Sequence, residues 1–235
     1  MGNRVAIAYL HPDEVGHNFC QSLLHTVMHD RNHAGHIVEV LPQRCSSGGL
    51  VAGRNHAAKV FLDDLDAQWL WWIDSDMGWR PDTLDRLLEV ADREHRPVVG
   101  GLCMSWLQTG PDGMGGWNHI ARPTIYQWCD TPEGPRFRAV DQVPDQDLVR
   151  CAATGSAMLL IHRDALAAVR YEHGDHWYDR IPTSAGDGHM SEDISFCARL
   201  GALDIPIHVD TRIATNHLKT AYVGEGHAVP GGLRV

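Results

Sequence analysis

The chain has 235 residues, of which 43% are hydrophobic and 21% are charged, and its formal net charge at pH 7 is −10. A chain of this length can bury one sizeable core or at most two small ones. The acidic balance argues against generic nucleic-acid binding, because that affinity comes mainly from neutralising phosphates. No run of 18 apolar residues occurs in the sequence, so we expect no membrane-spanning helix.

The cysteines and the N-terminus bear on the compartment. Six cysteines are scattered through the chain without a CxxC pair. This spacing predicts reduced thiols and argues against a structural zinc site made from them. The first fifteen residues, MGNRVAIAYLHPDEV, lack the charged, apolar and small-residue order of a signal peptide. We therefore expect a cytoplasmic protein.

The first half of the chain alternates between two hydrophobic periodicities. Apolar runs rich in strand-forming residues predict strands over 4–10, 36–42, 67–76 and 96–106. Helical spacing of apolar residues predicts helices over 16–32, 54–65 and 80–95. The glycine-rich stretch 46–53 indicates a loop. This alternation predicts an α/β fold with a mainly parallel central sheet and helices on both faces.

The second half follows a different pattern. Residues 107–150 are rich in glycine, proline and polar residues, with short strands expected over 124–130 and 136–142. The stretch 149–169 predicts a strand, a Gly-Ser break, a second strand and the start of a helix. A helix with Ser191 as its N-cap is expected over 191–202, and a closing strand over 205–218. No linker separates the halves, so we expect one domain.

Two carboxylates follow the tryptophan-rich strand in the stretch WLWWIDSDMGW. Sheets of the predicted kind bind ligands outside the carboxyl ends of their strands, which is where Asp74 and Asp76 fall. Two carboxylates at a loop can bind Mg²⁺ or Mn²⁺. The alternative is a strand-end turn in which Asp74 is a cap and Asp76 is solvated. His25 and His29, one helical turn apart, are a second metal candidate, although solvated or capping histidines are the favoured interpretation there.

Four segments carry a resemblance to a known family. They are RNHAAKVFLDDLDAQWLWWIDSDM (54–77), ATGSAMLLIHRDAL (153–166), SEDISFCARLGALDIPIHVDT (191–211) and ATNHLK (214–219). In this order they resemble the nucleotide-sugar glycosyltransferases of the GT-A fold, especially their large inverting group. The resemblance spans roughly residues 4–219.

The resemblance implies a fold and an activity. It implies a Rossmann-like GT-A domain over 1–220, with a nucleotide-sugar-binding half (1–106), an acceptor and catalytic half (107–220) and a tail (221–235). The implied enzyme transfers a hexosyl or pentosyl group from a nucleoside-diphosphate sugar, with a UDP-sugar expected, to an acceptor hydroxyl with inversion. The short length resembles minimal enzymes of phage and small bacterial clusters, so the expected location is the cytoplasm of a bacterium or of a phage-infected cell.

The resemblance also implies a metal site. Mn²⁺ or Mg²⁺ would be held by Asp74, Asp76 and His217, and would offset the charge of the leaving diphosphate. Asp76 is expected to bind the metal directly, and Asp74 to act through water or to hold the ribose. His217 would add a neutral imidazole nitrogen. The alternative for His217 is a buried histidine bonded to the backbone.

Further residues are expected to contact the donor. The implied donor-binding set is His11, Pro12, Glu14, Arg54, Asn55, Asp74, Ser75, Gly155 and Ser156. A surface salt bridge is the alternative for Arg54, and a plain strand bulge is the alternative for Gly155 and Ser156. Many relatives have an Asp-Asp-Gly-Ser turn after the second strand. Here the sequence is LPQRCSSGG, which leaves the nucleotide open.

The implied base is Asp193, with Glu192 as its neighbour or substitute. Helix-cap chemistry alone is the alternative, because acidic residues are common in first turns. The preceding loop SAGDGHM (184–190) has two glycines and is a candidate lid. The acceptor stays open between a glycan, a protein, a lipid-linked glycan and a hydroxymethylated base in DNA. For the last of these, the arginines at 122, 136 and 138 are candidates for touching phosphate.

Two rival functions remain at this point. A Mg²⁺-dependent nucleotidyltransferase would use a related sheet, but the N-terminal stretch AYLHPDEVG lacks the expected glycine-rich phosphate loop and basic residue. A non-catalytic nucleotide-sugar-binding protein would not need both Asp76 and Asp193.

Overall fold

The computed structural model describes residues 3–45, 48–111, 113, 115–132, 134–143, 147–183, 186 and 188–219. Within these ranges no helix is both long enough and apolar enough to cross a membrane. The expected tail 221–235 lies outside the described residues, as do Ser184, Ala185 and Asp187 of the expected lid.

The described ranges contain fourteen strands and five helices. The strands are β1 (Val5–His11), β2 (Ile37–Arg44), β3 (Trp69–Ile73), β4 (Met77–Gly78), β5 (Val98–Leu102), β6 (Met104–Pro111), β7 (Trp117–Pro123), β8 (Ile125–Thr131), β9 (Gly134–Ala139), β10 (Leu148–Cys151), β11 (Ala153–Thr154), β12 (Met158–His162), β13 (Ile207–Ala214) and β14 (Asn216–His217). The helices are α1 (His17–Asn32), α2 (Gly49–Asp64), α3 (Thr83–Val90), α4 (Arg163–His173) and α5 (Glu192–Ala202).

The central sheet has seven strands in the order β10-β13-β5-β12-β3-β1-β2. Strands β2, β1, β3, β5 and β13 point in one direction, and β12 and β10 run against them. The predicted mainly parallel α/β sheet is therefore confirmed. Because β12 is antiparallel to β3, the residues just before β12 lie at the edge where β3 ends. A three-stranded sheet, β11-β8-β9, and the hairpin β6-β7 form the smaller second lobe.

Strand β3 explains the uninterrupted apolar run WLWWI. All five of its residues are buried. Leu70 and Trp72 pack into the core layer on one face of the sheet, and Trp69, Trp71 and Ile73 pack into the layer on the other. A strand covered on both faces carries apolar side chains at every position, which is why the sequence does not alternate there.

Three helix boundaries differ by three residues or more from the sequence prediction: the start of α2 and both ends of α3. Helix α2 begins at Gly49, inside the expected loop 46–53. Its Gly53 packs on Leu10, where an added Cβ would come within 2.9 Å of a leucine methyl, so the glycine allows the helix to lie close to β1. Helix α3 ends at Val90 rather than at 95. There the Asp92 carboxylate accepts the backbone N–H groups of Glu94 and His95, a local turn that competes with helix.

The expected strand 96–106 is two strands, β5 and β6, and β6 continues to Pro111 in the second half of the chain. Strand β7 was not predicted, because its sequence WNHIARP mixes polar and apolar residues without clear alternation. All six cysteines are free thiols, as expected.

Candidate active site

A buried arginine joins two carboxylates at the carboxyl edge of the sheet. Arg54 of α2 donates from Nη2 to Asp74 Oδ1 at 2.9 Å and lies 3.7 Å from Asp193 Oδ1. Asp74 follows β3 directly, and its backbone N–H donates to the Ala157 carbonyl at 3.0 Å. Asp193 lies in the first turn of α5. Three distant segments of the chain therefore meet at one guanidinium group.

The Arg54 guanidinium is held in an almost closed environment. Its side chain is 2% exposed, and its centre lies 5.1 Å from the Trp72 ring and 5.5 Å from the Tyr178 ring. Burial works against its charge, but Asp193 and Asp74 outweigh that effect and raise the pKa of Arg54. Arg54 thus stays charged and sits behind the carboxylates, away from solvent. The expected direct contact between Arg54 and the donor stays a prediction; here the guanidinium is bonded to Asp74 and lies near Asp193.

Asn55, the second residue of the RN pair, holds the segment before α5. Its amide donates to Asp179 at 2.6 Å, and its oxygen accepts the Tyr178 backbone N–H at 2.8 Å. The asparagine therefore fixes Tyr178, which covers Arg54. Its side chain is bonded to this segment rather than directed at the edge of β3.

Asp76 and His217 form a second pair a short distance along the same edge. Strand β14 pairs with β4 so that His217 lies opposite Met77, and its Nε2 comes 3.1 Å from Asp76 Oδ2. His217 Nδ1 donates to the Met104 carbonyl at 2.8 Å. Lys219 also contacts Asp76, at 3.2 Å. The fourth of the family-like segments therefore contacts the first.

The protonation of this pair follows from its contacts. Burial tends to lower the pKa of His217, but the bond to Asp76 outweighs it and raises that pKa. Burial tends to raise the pKa of Asp76, but His217 and Lys219 lower it overall. The carboxylate therefore stays charged over the whole physiological range.

The donor set fits a divalent cation. Because Nδ1 is bonded to the Met104 carbonyl, Nε2 is the His217 nitrogen that faces Asp76, and it would be the one to bind a cation in place of its hydrogen bond to that carboxylate. Asp74 is bonded to Arg54 instead, and within the described residues no three His, Cys, Asp or Glu side chains converge as one ligand group. Asp76 and His217 would thus be the direct protein ligands, and the remaining ligands would come from substrate and water.

A cavity of about 180 Å³ connects these groups and is called the central cavity below. Four expected site residues line it, namely Asp74, Gly155, Asp193 and His217. Seven others were not predicted: Cys103, Ser105, Thr124, Tyr126, Ala157, Ser191 and Ile194. Four of these seven, at positions 103 to 126, lie in or next to the second lobe, where the sequence carried no recognised motif. Ser191 was recognised only as the N-cap, and it accepts the Ile194 backbone N–H at 3.4 Å.

The two adjacent acidic residues of α5 point to different places. Glu192 is 7% exposed and lies 3.6 Å from Arg180, whereas Asp193 faces the central cavity. Of the two candidates for the base, Asp193 is the one beside the cavity. An added Cβ at Gly155 would lie 3.8 Å from Asp193 Oδ2, so the glycine keeps this carboxylate uncovered.

The remaining donor candidates lie at the same edge with different exposure. His11 ends β1, and Pro12 and Glu14 follow it in an exposed turn. Asp13 in this turn pairs with Arg44 at 2.6 Å. Ser75 contributes its carbonyl, which accepts the Gly16 backbone N–H at 2.9 Å.

Ser156 is fully buried, in the segment between Gly155 and β12. Its hydroxyl lies beside that of Tyr178. Ser156 therefore supports the wall of the site from behind.

Other singled-out residues have local partners. His29 bonds Asp85 at 2.8 Å, while His25 is exposed. Arg122 donates to the Ala139 carbonyl at 3.0 Å.

Comparison with protein families identifies the chain. The model of a family described as glycosyl transferase family 2 matches residues 24–159, which is more than half of the sequence. The chain belongs to glycosyl transferase family 2. Members of this family transfer sugars from nucleotide-sugar donors, so the chain is a nucleotide-sugar glycosyltransferase.

Solved structures share the fold of this family 2 glycosyltransferase at low sequence identity. The crystal structure of A197 from STIV aligns with a TM-score of 0.55 at 14% identity, over 92% of this chain and 86% of that one. The crystal structure of GalNAc-T7 with UDP, GalNAc and Mn²⁺ aligns with a TM-score of 0.58 at 11% identity, over 92% of this chain and 44% of that one. At these identities the likeness shows the fold alone. No curated protein sequence matches the chain.

Proposed function

We propose that this family 2 glycosyltransferase is metal-dependent and inverting, and that it uses a nucleoside-diphosphate sugar as donor. One observation carries the proposal: Asp193, Asp74 and His217 line the same central cavity, and Asp76 lies 3.1 Å from His217. A general base, a donor-binding carboxylate and a metal-ligand pair are the three parts that such a transfer needs.

Each carboxylate has a separate role in this proposal. Asp76 and His217 would hold the cation, which supplies positive charge to the leaving diphosphate when bound. Asp74 would bind the ribose or a water on the cation. Asp193 would accept the proton of the acceptor hydroxyl as that oxygen attacks the anomeric carbon. A single displacement of this kind inverts the anomeric configuration.

Arg54 is proposed to act as a positioning residue. Its contacts at 2.9 Å and 3.7 Å fix Asp74 and Asp193 relative to each other, although its side chain is 2% exposed. Holding reacting groups in a fixed geometry is a large part of catalysis, and an error of about 1 Å can cost on the order of 10²-fold.

The donor set supports Mn²⁺ over Mg²⁺. Mg²⁺ prefers oxygen ligands in near-ideal octahedral geometry, whereas a histidine nitrogen suits the later divalent ions better. UDP-sugars are the proposed donors, in line with the family resemblance of the four sequence segments. We expect higher activity with Mn²⁺ than with Mg²⁺ at equal concentration.

A donor screen tests the proposal without knowledge of the acceptor. UDP-glucose, UDP-galactose, UDP-N-acetylglucosamine, UDP-xylose and GDP-mannose are each incubated with the protein and Mn²⁺, and release of nucleoside diphosphate is measured. We expect hydrolysis of at least one donor, and its loss when EDTA is added. Equal release in EDTA would refute metal dependence, and release of nucleoside monophosphate would instead indicate a nucleotidyl-transfer type of chemistry.

Two variants and a matched control locate the metal. Asp76→Ala is expected to abolish metal-dependent donor binding, and His217→Ala to raise the Mn²⁺ concentration for half-maximal activity by at least about tenfold. His29→Ala is the control, because His29 also bonds a carboxylate, at 2.8 Å, but lies away from the central cavity. A His217→Ala enzyme with the metal dependence of the control would make His217 a structural histidine.

A further inference from the structure

A second cavity, of about 380 Å³, lies at the opposite end of α5 from the catalytic residues. Its lining comes from the end of α5, the start of β13 and the neighbouring strands β8 and β10. It is called the Trp128 cavity below. Asp193 is in the first turn of α5, and the 11-residue helix spans about 16 Å, so the two cavities are separate.

Trp128 is a preorganised aromatic wall of this cavity. It is 51% exposed, yet its ring is stacked on Phe137 of the neighbouring strand, with centroids 4.0 Å apart and planes at 22°. The two residues are directly paired across β8 and β9, which fixes the indole orientation. Phe137 covers one face of the indole, and the half-exposed Trp128 is among the residues that line the cavity.

Apolar and polar residues share the rest of the lining. Ile205 and Pro206 are apolar, whereas Gln127, Arg150 and Asp204 are polar or charged. The Gln127 side chain is fixed by a bond from Nε2 to the Arg150 carbonyl at 2.9 Å. The lining therefore combines groups that can donate and accept hydrogen bonds with an aromatic residue.

This combination matches the chemistry of a neutral pyranose ring. Such a ring has an apolar C–H face, which packs on an aromatic plane, and hydroxyls at its edge, which both donate and accept. A nucleic acid strand fits less well, because Asp204 offsets the charge of Arg150 in the lining and the net charge of −10 repels phosphates. A volume of about 380 Å³ is in the range of sites for small ligands.

We infer that the Trp128 cavity is a carbohydrate-binding subsite for a neutral sugar unit. The role of this subsite in catalysis rests on the proposed function: the bound sugar unit would belong to a glycan acceptor whose reacting end lies at the central cavity. The glycosyltransferase then binds oligosaccharide acceptors more tightly than single sugars. Sugar binding at the Trp128 cavity is itself independent of donor and metal.

The test measures binding of defined oligosaccharides to the full chain without donor or Mn²⁺. Maltohexaose, cellohexaose, xylohexaose and chitohexaose are titrated by calorimetry and by intrinsic tryptophan fluorescence. We expect at least one hexasaccharide to bind, and Trp128→Ala to weaken it by at least about tenfold. Trp117→Ala is the matched control, because Trp117 is 52% exposed on another strand and does not line the cavity. It should leave the affinity unchanged.

A second variant is tested in case Trp128→Ala does not fold. Asp204 has a positive φ of 56°, which asparagine tolerates, so Asp204→Asn keeps the backbone and removes only the charged acceptor. We expect it to weaken hexasaccharide binding about threefold, because the asparagine oxygen still accepts a hydrogen bond and only the charge assistance of that bond is lost. Binding equal to the parent in both variants would overturn the proposal.

Three further results would also overturn the inference. Failure of all four hexasaccharides to bind the parent overturns the inference, as does a tighter, Trp128-dependent complex with single-stranded oligonucleotide. A dimer that Trp128→Ala dissociates in analytical ultracentrifugation would make a second copy the occupant and would likewise overturn it. Donor hydrolysis is measured in parallel and should be equal in the parent, Trp128→Ala and Trp117→Ala. If the parent does not hydrolyse any donor, the proposed function is rejected, but the oligosaccharide-binding result still tests the sugar-binding subsite.

Discussion

Replacing Arg54 by methionine tests whether one buried cation holds the active site together. Methionine approximates the volume of the aliphatic stem and remains compatible with the Trp72 and Tyr178 rings around it. It removes the positive charge 2.9 Å from Asp74 and 3.7 Å from Asp193. The two carboxylates would then face each other across the site without a counter-ion.

The size of the effect follows from burial. Removing one partner of a buried ion pair costs about 3–5 kcal/mol, because the remaining charge is left uncompensated. Asp74 and Asp193 are 32% and 24% exposed at their side chains, so water relieves part of this penalty, and we expect about 3 kcal/mol. Since domains are stable by about 5–15 kcal/mol, the variant should fold with much of its reserve lost.

Urea denaturation followed by tryptophan fluorescence measures the loss. At a typical dependence of about 2–3 kcal/mol per molar urea, the midpoint should fall by about 1 M or slightly more. Adding Asp74→Asn to Arg54→Met removes one of the uncompensated charges, so the double variant should recover part of the stability. Donor hydrolysis should be lost in Arg54→Met even below the unfolding transition, because Asp74 and Asp193 are no longer fixed.

Arg170 offers a matched control. It also pairs with two carboxylates, Asp63 at 2.5 Å and Asp175 at 2.7 Å, and lies 5.8 Å from the Trp177 ring. Its side chain is 31% exposed, so solvent screens these pairs, and Arg170→Met should cost only a small fraction of the loss at Arg54. Equal losses in the two variants, or a loss below about 1 kcal/mol for Arg54→Met, would refute the reasoning from burial.

Three further predictions concern the base, its neighbouring glycine and a structural histidine. Asp193→Asn should bind donor with unchanged affinity, while transfer to a glycan acceptor falls by about 10²- to 10⁴-fold, the usual cost of removing a general base. NMR of the product should show the inverted anomeric configuration in the parent, and retention would remove the need for this base. Gly155→Ala should fold normally, because its Cβ would meet Thr124 and Asp193 at ordinary distances of 3.7 and 3.8 Å. The added methyl group occupies space in the central cavity and should displace the acceptor, so KM for the acceptor should rise about tenfold. An unchanged KM would mean that the acceptor binds elsewhere. Burial lowers the pKa of His162, the N-cap of α4, below its ordinary value of 6.5, so the folded state binds fewer protons than the unfolded state and stability should fall as pH drops below about 6.5. His162→Asn keeps a cap acceptor, and urea titrations at two pH values should show a weaker pH dependence than the parent; equal slopes would contradict the assignment.

The end of strand β3 and the start of helix α5 could be predicted from local sequence, because the signals for each lie within a few consecutive residues. The all-apolar stretch before Asp74 and Asp76 predicted a fully buried strand, and a carboxyl end of such a strand is a ligand edge. Ser191 before two acidic residues predicted the start of α5, and its hydroxyl does cap the helix. These are short-range effects of backbone hydrogen bonding and burial.

Boundaries were less predictable where side chains compete with the backbone or pack against distant residues. The Asp92 carboxylate ends the expected helix 80–95 early, because it captures two backbone N–H groups. Gly53 lies within α2 because its missing Cβ lets the helix approach Leu10, a contact that no local pattern records.

From the sequence alone one can predict the α/β alternation, the buried tryptophan strand and the order of the four family-like segments. The structure was needed to show that β12 inserts antiparallel between β3 and β5, which brings Gly155 beside Asp193. It also decided that Asp193 rather than Glu192 faces the central cavity, and that Arg54 sits behind the carboxylates. The physical reason is the same in each case. Periodicity and capping act within a few residues, whereas strand order, burial of a charge and the lining of a cavity depend on which distant segments pack together.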